Sequence, residues 1–184
     1  MDQRTTMATQ QIAKIPISSS YTQREREVIA EEIIDFIIER TQKQSLDKNN
    51  NKFPEYSKPY TESLDFDVAG KTSKVNLTLS GEMLGELKYL KGKDTTSEIA
   101  IGFPQDAALN GKVEGNRIGS YGGEAKASKA RDFLGIHPDD LRKILDKYPP
   151  KDRETRGLAV AIAERLRREA EALARGVELE EEYE

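Results

Sequence analysis

The chain has 184 residues and 20.7 kDa, with 29 lysines and arginines against 33 aspartates and glutamates, a formal charge of -4 and a pI near 5.3. Without cysteine it can form no disulfide, thiol nucleophile or cysteine zinc site, and one histidine excludes a histidine cluster for a transition metal. At 36% hydrophobic and 34% charged residues, with a mean hydropathy of -0.72, part of the chain is expected outside a packed core; the acidic balance argues against a dedicated nucleic-acid binder, which draws affinity from a basic face.

Residues 1–20 are rich in threonine, glutamine and serine, with Pro16 and isolated apolar residues. They are expected to form a flexible arm whose Ile12, Ile15 and Ile17 could anchor it on a neighbouring subunit. Thr22 followed by Glu25 matches a capping box, and Val28, Ile29, Ile33, Phe36 and Ile37 recur at helical spacing. A core-facing helix over about 22–44 follows, with Glu25, Glu31, Glu32 and Glu39 toward solvent. The Asn- and Pro-rich stretch 45–60 is expected as a loop tacked to the core by Phe53, Tyr56 and Tyr60.

Leu64, Phe66 and Val68 alternate with Asp65 and Asp67, as in a strand, although the same residues can close a helical turn. Val75, Leu77 and Leu79 alternate with polar residues, and a strand is expected there, ended by Ser80-Gly81. Met83, Leu84, Leu87 and Leu90 point to a short helix over 82–90, then a turn at 91–94 and a strand over 98–103 stopped by Pro104. Residues 104–130, with Gly111, Gly115, Gly119, Gly122 and Gly123, are expected as a long loop with a short helix at 106–109. Pro138 with Asp139 and Asp140 starts a helix whose Leu141, Ile144 and Leu145 face the core, ended by Tyr148-Pro149-Pro150. From Asp152 a charged helix carries the narrow stripe Leu158, Ile162, Leu166, Ala170 and Leu173, followed by an acidic tail. The expected class is α+β: a small antiparallel or mixed sheet on a long N-terminal helix, with an extended arm (1–20), a central domain (21–150) and a charged C-terminal helix and tail (151–184).

Chemical motifs are weak. Gly70-Lys71-Thr72 lacks the first glycine of a phosphate loop and has Asp65 in its place. Asp47, Asn49 and Asn51 share the spacing of an EF-hand start, but Lys52 and Lys58 stand where glycine and a bidentate glutamate are required. His137 is placed to cap a helix rather than to act as a base, and Asp65/Asp67 and Asp139/Asp140 match an exposed edge and a helix start. Arginines 153, 156, 165, 167, 168 and 175 alternate with glutamates, which favours intrahelical pairs over phosphate binding. No catalytic, cofactor or metal residue is expected. The longest apolar run, Ile33 to Ile38, is broken by Asp35 and too short for a bilayer, and the start lacks a signal-peptide centre; a soluble, unexported protein is expected.

An isoleucine-rich helix, KFPEYSKPY, LTLSGEMLGEL, IAIGF, a glycine-rich stretch and ARDFLGI before LRKIL follow one another in this order. The succession resembles bacteriophage tail-completion proteins, the virion morphogenesis family related to tail terminators and neck proteins. Its most specific pieces are Arg131, Phe133, Leu134 and Gly135 before HPDDLRKIL, and Leu79 to Leu84. The likeness covers about Thr22 to Tyr148, and Asp132 departs from the proline or small residue of the family pattern. The resemblance implies a non-enzymatic virion protein that forms a ring, hexameric by preference, at the head-proximal end of a tail. Its partners would be the tail tube and neck or connector proteins, with DNA passing through the lumen unbound and no membrane involved. Its location would be the virion, and the host cytoplasm during assembly. An acidic lumen would let DNA slide.

Within this resemblance Phe133 and Leu134 are expected to bury against the 22–44 helix, Gly135 to bend the chain, and Arg131 to pair with a carboxylate. Subunit or neighbour contacts are expected from Ile12, Ile15, Ile17, Arg131, Phe133, Leu134, Gly135, Leu158, Ile162 and Leu166. The alternatives are a head-side connector adaptor on the portal, a small hydrolase using Asp65, Asp67 or His137, and a nucleic-acid-binding regulator using the C-terminal arginines. A twelvefold ring, a concave pocket and steeply salt-dependent binding would mark them respectively.

Overall fold

The structure is a computed structural model that describes residues 9–68, 74–77, 82–120 and 126–149. The expected C-terminal helix with Leu158, Ile162 and Leu166, and the Gly70-Lys71-Thr72 motif, lie outside these residues. The architecture is α+β, with a three-stranded antiparallel sheet and several helices. Among the described residues no helix is long and apolar enough to cross a membrane.

The sheet has the order β1-β3-β2, formed by β1 (Ile12–Pro16), β2 (Lys88–Tyr89) and β3 (Glu98–Gly102). Ile99, Ala100 and Ile101 are all fully buried, so the central strand is covered on both faces. Residues 12–16 are therefore not the flexible arm expected from composition. They pair with β3 in the register Ile12↔Gly102 to Pro16↔Glu98, and Ile15 and Ile17 enter the chain's own core. Alternation of Ala13, Ile15 and Ile17 against Lys14 and Pro16 supplies the inward face that offsets the ordering entropy of the segment.

The free edge of β1 is guarded. Gln11 accepts from the Phe103 N–H and the Ile17 N–H donates to Ser97, so Ile12, Lys14 and Pro16 turn their backbone groups away from β3. Pro16 has no N–H to offer, and Lys14 is exposed and charged. Both are devices that discourage strand addition.

Helix α1 (Gln23–Glu39) starts at the expected capping box: Thr22 accepts from the Glu25 N–H, and the Glu25 carboxylate accepts from the Thr22 N–H. Ile29, Ala30, Ile33, Ile34 and Ile37 form its buried stripe, and the helix runs on through a π turn at Arg40–Gln44, ended by left-handed Ser45. Its far side is tied to the turn that follows Leu145: Glu32 accepts from Lys147 and from the Tyr148 hydroxyl, and Tyr21 donates to the Tyr148 carbonyl at 2.7 Å.

Three further expectations are corrected. Lys74 to Leu77 form no strand, because Leu77 has φ +53°, a left-handed turn that an extended ladder does not tolerate; Val75 is nevertheless buried. The 82–90 helix stops early. Helix α4 (Glu82–Gly85) ends at glycine, a poor helix former, and Leu87 to Leu90 switch to extended chain, the Leu90 N–H donating to Ala100 at 2.8 Å. The first half of the expected glycine-rich loop is the twelve-residue helix α5 (Ala107–Ile118), capped by Asp106 on the Leu109 N–H at 2.7 Å and closed by Gly119 at φ +74°.

Residues 64–68 take the helical option: α2 (Lys58–Thr61) and α3 (Leu64–Val68) form a small flap. Phe66 packs edge-on against Tyr56 and Tyr60, with centroids 5.8 and 5.5 Å apart, so the 45–60 loop is tacked down by its aromatics as expected. Helix α6 (Pro138–Leu145) begins as expected with Pro138 in its first turn. Leu141 and Ile144 are in the core, and Leu145 is partly buried against it.

Candidate functional site

Arg131 to Gly135, the most specific piece of the sequence, forms an irregular strap that belongs to no sheet yet has its backbone fastened from several sides. The Arg131 N–H donates to Asn116 at the end of α5 (2.7 Å), and the Asp132 carbonyl accepts from the Lys48 N–H (2.9 Å). The Phe133 and Gly135 carbonyls accept from one nitrogen, Nη2 of Arg40, at 2.7 and 3.0 Å. An irregular segment of this kind is stable in an interior only when its carbonyls find such partners.

Side chains reinforce the strap. Phe133 is fully buried and meets Phe103 edge-on at 6.2 Å, while Leu134 is 2% exposed. Their burial in the core with the stripe of α1 follows the expectation, and it leaves neither ring nor isobutyl group for a neighbour. Arg131 is also buried; it donates to the Pro54 and Glu55 carbonyls at 3.1–3.3 Å and lies 5.1 Å from the Tyr56 ring, fixing the 45–60 loop to the strap. Gly135 has φ +137°, and an added Cβ would sit 3.3 Å from the Lys48 side chain, so only glycine fits the bend into α6.

Asp132 binds Arg117 at 2.7 Å and Lys48 at 2.8 Å. Burial pushes its carboxyl upward, but the hydrogen bonds from Arg117 and Lys48 outweigh that and hold it below the usual aspartate range. Asp140 behaves alike: burial raises it, and Lys143 (2.8 Å) and Asn50 (2.7 Å) draw it down further. A carboxyl lowered by folding contributes stability above its unfolded value of about 4 and loses it as pH falls through the folded value. The wild-type protein is therefore expected to lose stability below about pH 4, and Asp132→Asn to flatten that acid limb. An unchanged limb in pH-dependent urea titrations would show that the Lys48 and Arg117 contacts carry no net stability.

Of the residues singled out for chemistry, His137 and Asp47 hold local backbone N–H groups. His137 caps α6, its Nδ1 accepting from the Asp139 N–H at 3.3 Å, and Asp139 is exposed. Asp47 accepts from the N–H groups of Asn49 and Asn51, both at 2.8 Å, which closes a turn. Asp67 is exposed on α3 and shares no strand face with Asp65. Among the described residues no group of three or more His, Cys, Asp or Glu could hold a metal.

Sequence reasoning missed Arg26, Arg40 and Asn110. Arg26 and Arg40 stand in phase with the buried stripe of α1, three residues before Ile29 and three after Ile37, and that phase was a readable signal. Arg26 uses its guanidinium on the Thr95, Thr96 and Glu98 carbonyls and Asp94. Asn110 accepts from the Gln11 N–H at 2.7 Å and donates to Pro104 and Asp106, joining β1 to the start of α5. Compared with known proteins, the chain matches no family model, no curated protein and no solved structure.

Proposed function

We propose that this protein is a structural component of a bacteriophage virion, a tail-completion or neck protein that assembles into a ring at the head-proximal end of the tail, with DNA passing through its lumen. The observation that carries the reading is the strap: the sequence piece most similar to that family, Arg131 to Gly135 before HPDDLRKIL, is the segment on which the π turn after α1, the 45–56 loop and α5 converge. The protein acts by assembly: the chain's own packing supplies a stable α+β unit, and surfaces left outside the core meet other copies, the tail tube and the connector.

Native mass spectrometry or mass photometry with and without tail tubes tests this. A sixfold species, or a monomer that becomes sixfold on tubes, is the expected result. A stable monomer that ignores tubes would overturn the reading, and a twelvefold ring on a portal would move it to the head side.

A further inference from the structure

Among the described residues Val28, Leu64, Val68 and Ile118 are the large apolar side chains left exposed. Leu64 and Val68, 75% and 79% exposed, lie one helical turn apart on α3 and so share a face. That face is backed by buried Phe66 and its contacts with Tyr56 and Tyr60. Its rim is acidic: Asp67 is exposed and in no ion pair among the described residues, and Glu62 has only a loose contact with Lys58 at 3.8 Å. Ile118, 46% exposed, ends α5. Lys126 donates its N–H to Gly119, and the Lys129 backbone lies beside the same glycine, which brings two exposed lysines to the C-terminal end of α5, where Glu114 stands one turn before Ile118. Neither lysine is in an ion pair among the described residues.

We infer that these patches are the two halves of a contact between copies of this chain, the acid-rimmed Leu64–Val68 face of one copy seating on the lysine-rimmed Ile118 of the next. Charge complementarity selects a second copy as the occupant: Asp67 and Glu62 outnumber Lys58 on one half, and Lys126 and Lys129 outnumber Glu114 on the other. Two different patches make the contact head-to-tail, the type that closes into a ring when the rotation per copy allows. With so few apolar side chains each contact is weak, and closure, which gives every copy two of them, adds the avidity. This inference rests on the ring reading above and names the surface it would use.

The absence of cysteine makes the test direct. Full-length Val68→Cys and Ile118→Cys variants are mixed under oxidising conditions without tail tubes; both positions are exposed, so folding is spared. The mixed disulfide is expected to exceed either self-pair about tenfold at low salt and to fall as salt screens the rims. Asp67→Lys in the first variant should lower it, and Lys126→Asp with Lys129→Asp in the second should restore it. Mixed and self-paired products in statistical proportion would overturn the contact. Cross-linking by a protein that ignores tubes would leave the contact standing while the tail reading fell; rings on tubes with statistical cross-links would do the reverse.

Discussion

Phe133→Ala is expected to lower the unfolding free energy by about 3–5 kcal/mol, the loss typical of a fully buried phenylalanine whose site cannot collapse. Collapse is blocked because the ring's neighbours are committed elsewhere. Phe103 follows directly on β3 and its N–H is bonded to Gln11, while the strap's carbonyls are pinned by Arg40. A domain of ordinary stability holds about 5–15 kcal/mol in all, so the variant should show a much lower urea midpoint at an unchanged slope. Phe133→Leu, which refills most of the volume, should recover more than half of the loss. A midpoint within experimental error of the wild type would remove Phe133 from the core.

Arg40→Met is the second large effect, expected to cost about 3 kcal/mol through two stranded carbonyls at about 1–3 kcal/mol each, less what is regained by removing a buried charge. Arg40 is fully buried, and burial lowers its guanidinium from the ordinary value to about 10, with Asp47, Asp140 and Asp132 opposing the shift. It stays charged at neutral pH, close to the Phe36 ring (5.8 Å), while Nε and Nη1 make no hydrogen bond among the described residues. Met keeps the stem and drops the donor, so the measurement isolates the clamp on Phe133 and Gly135. A variant as stable as the wild type would mean that desolvation of the cation cancels the two hydrogen bonds.

The legible parts of this fold were those decided by local chemistry. Thr22 with Glu25, the isoleucine phase of α1, Pro138 after His137, and the alternation in Glu98 to Gly102 each act within one or two turns of the chain. The misread parts were decided by distant partners. Residues 12–16 looked unstructured because their ladder partner is β3, and α5 was hidden by glycines whose cost is offset by Val113 and Asn110 in the core. Of the candidate site, Phe133, Leu134 and Gly135 were legible because burial and a bend follow from residue type. The burial of Arg40 could be read from its phase with the stripe of α1, but its clamp could not, since the carbonyls it holds belong to Phe133 and Gly135, far along the chain.

The pairing of Ile12 with Gly102 sets the timetable of folding. Ninety positions separate the partners, so β1 leaves the ribosome with no strand to join. At about 5–20 residues per second, it waits several seconds before β3 emerges. Closing so long a loop is slow and of high contact order, and it makes the sheet a late event, after α1 has formed from its own cap and stripe. During that wait Pro16 and Lys14 keep a short apolar segment from pairing with other nascent chains.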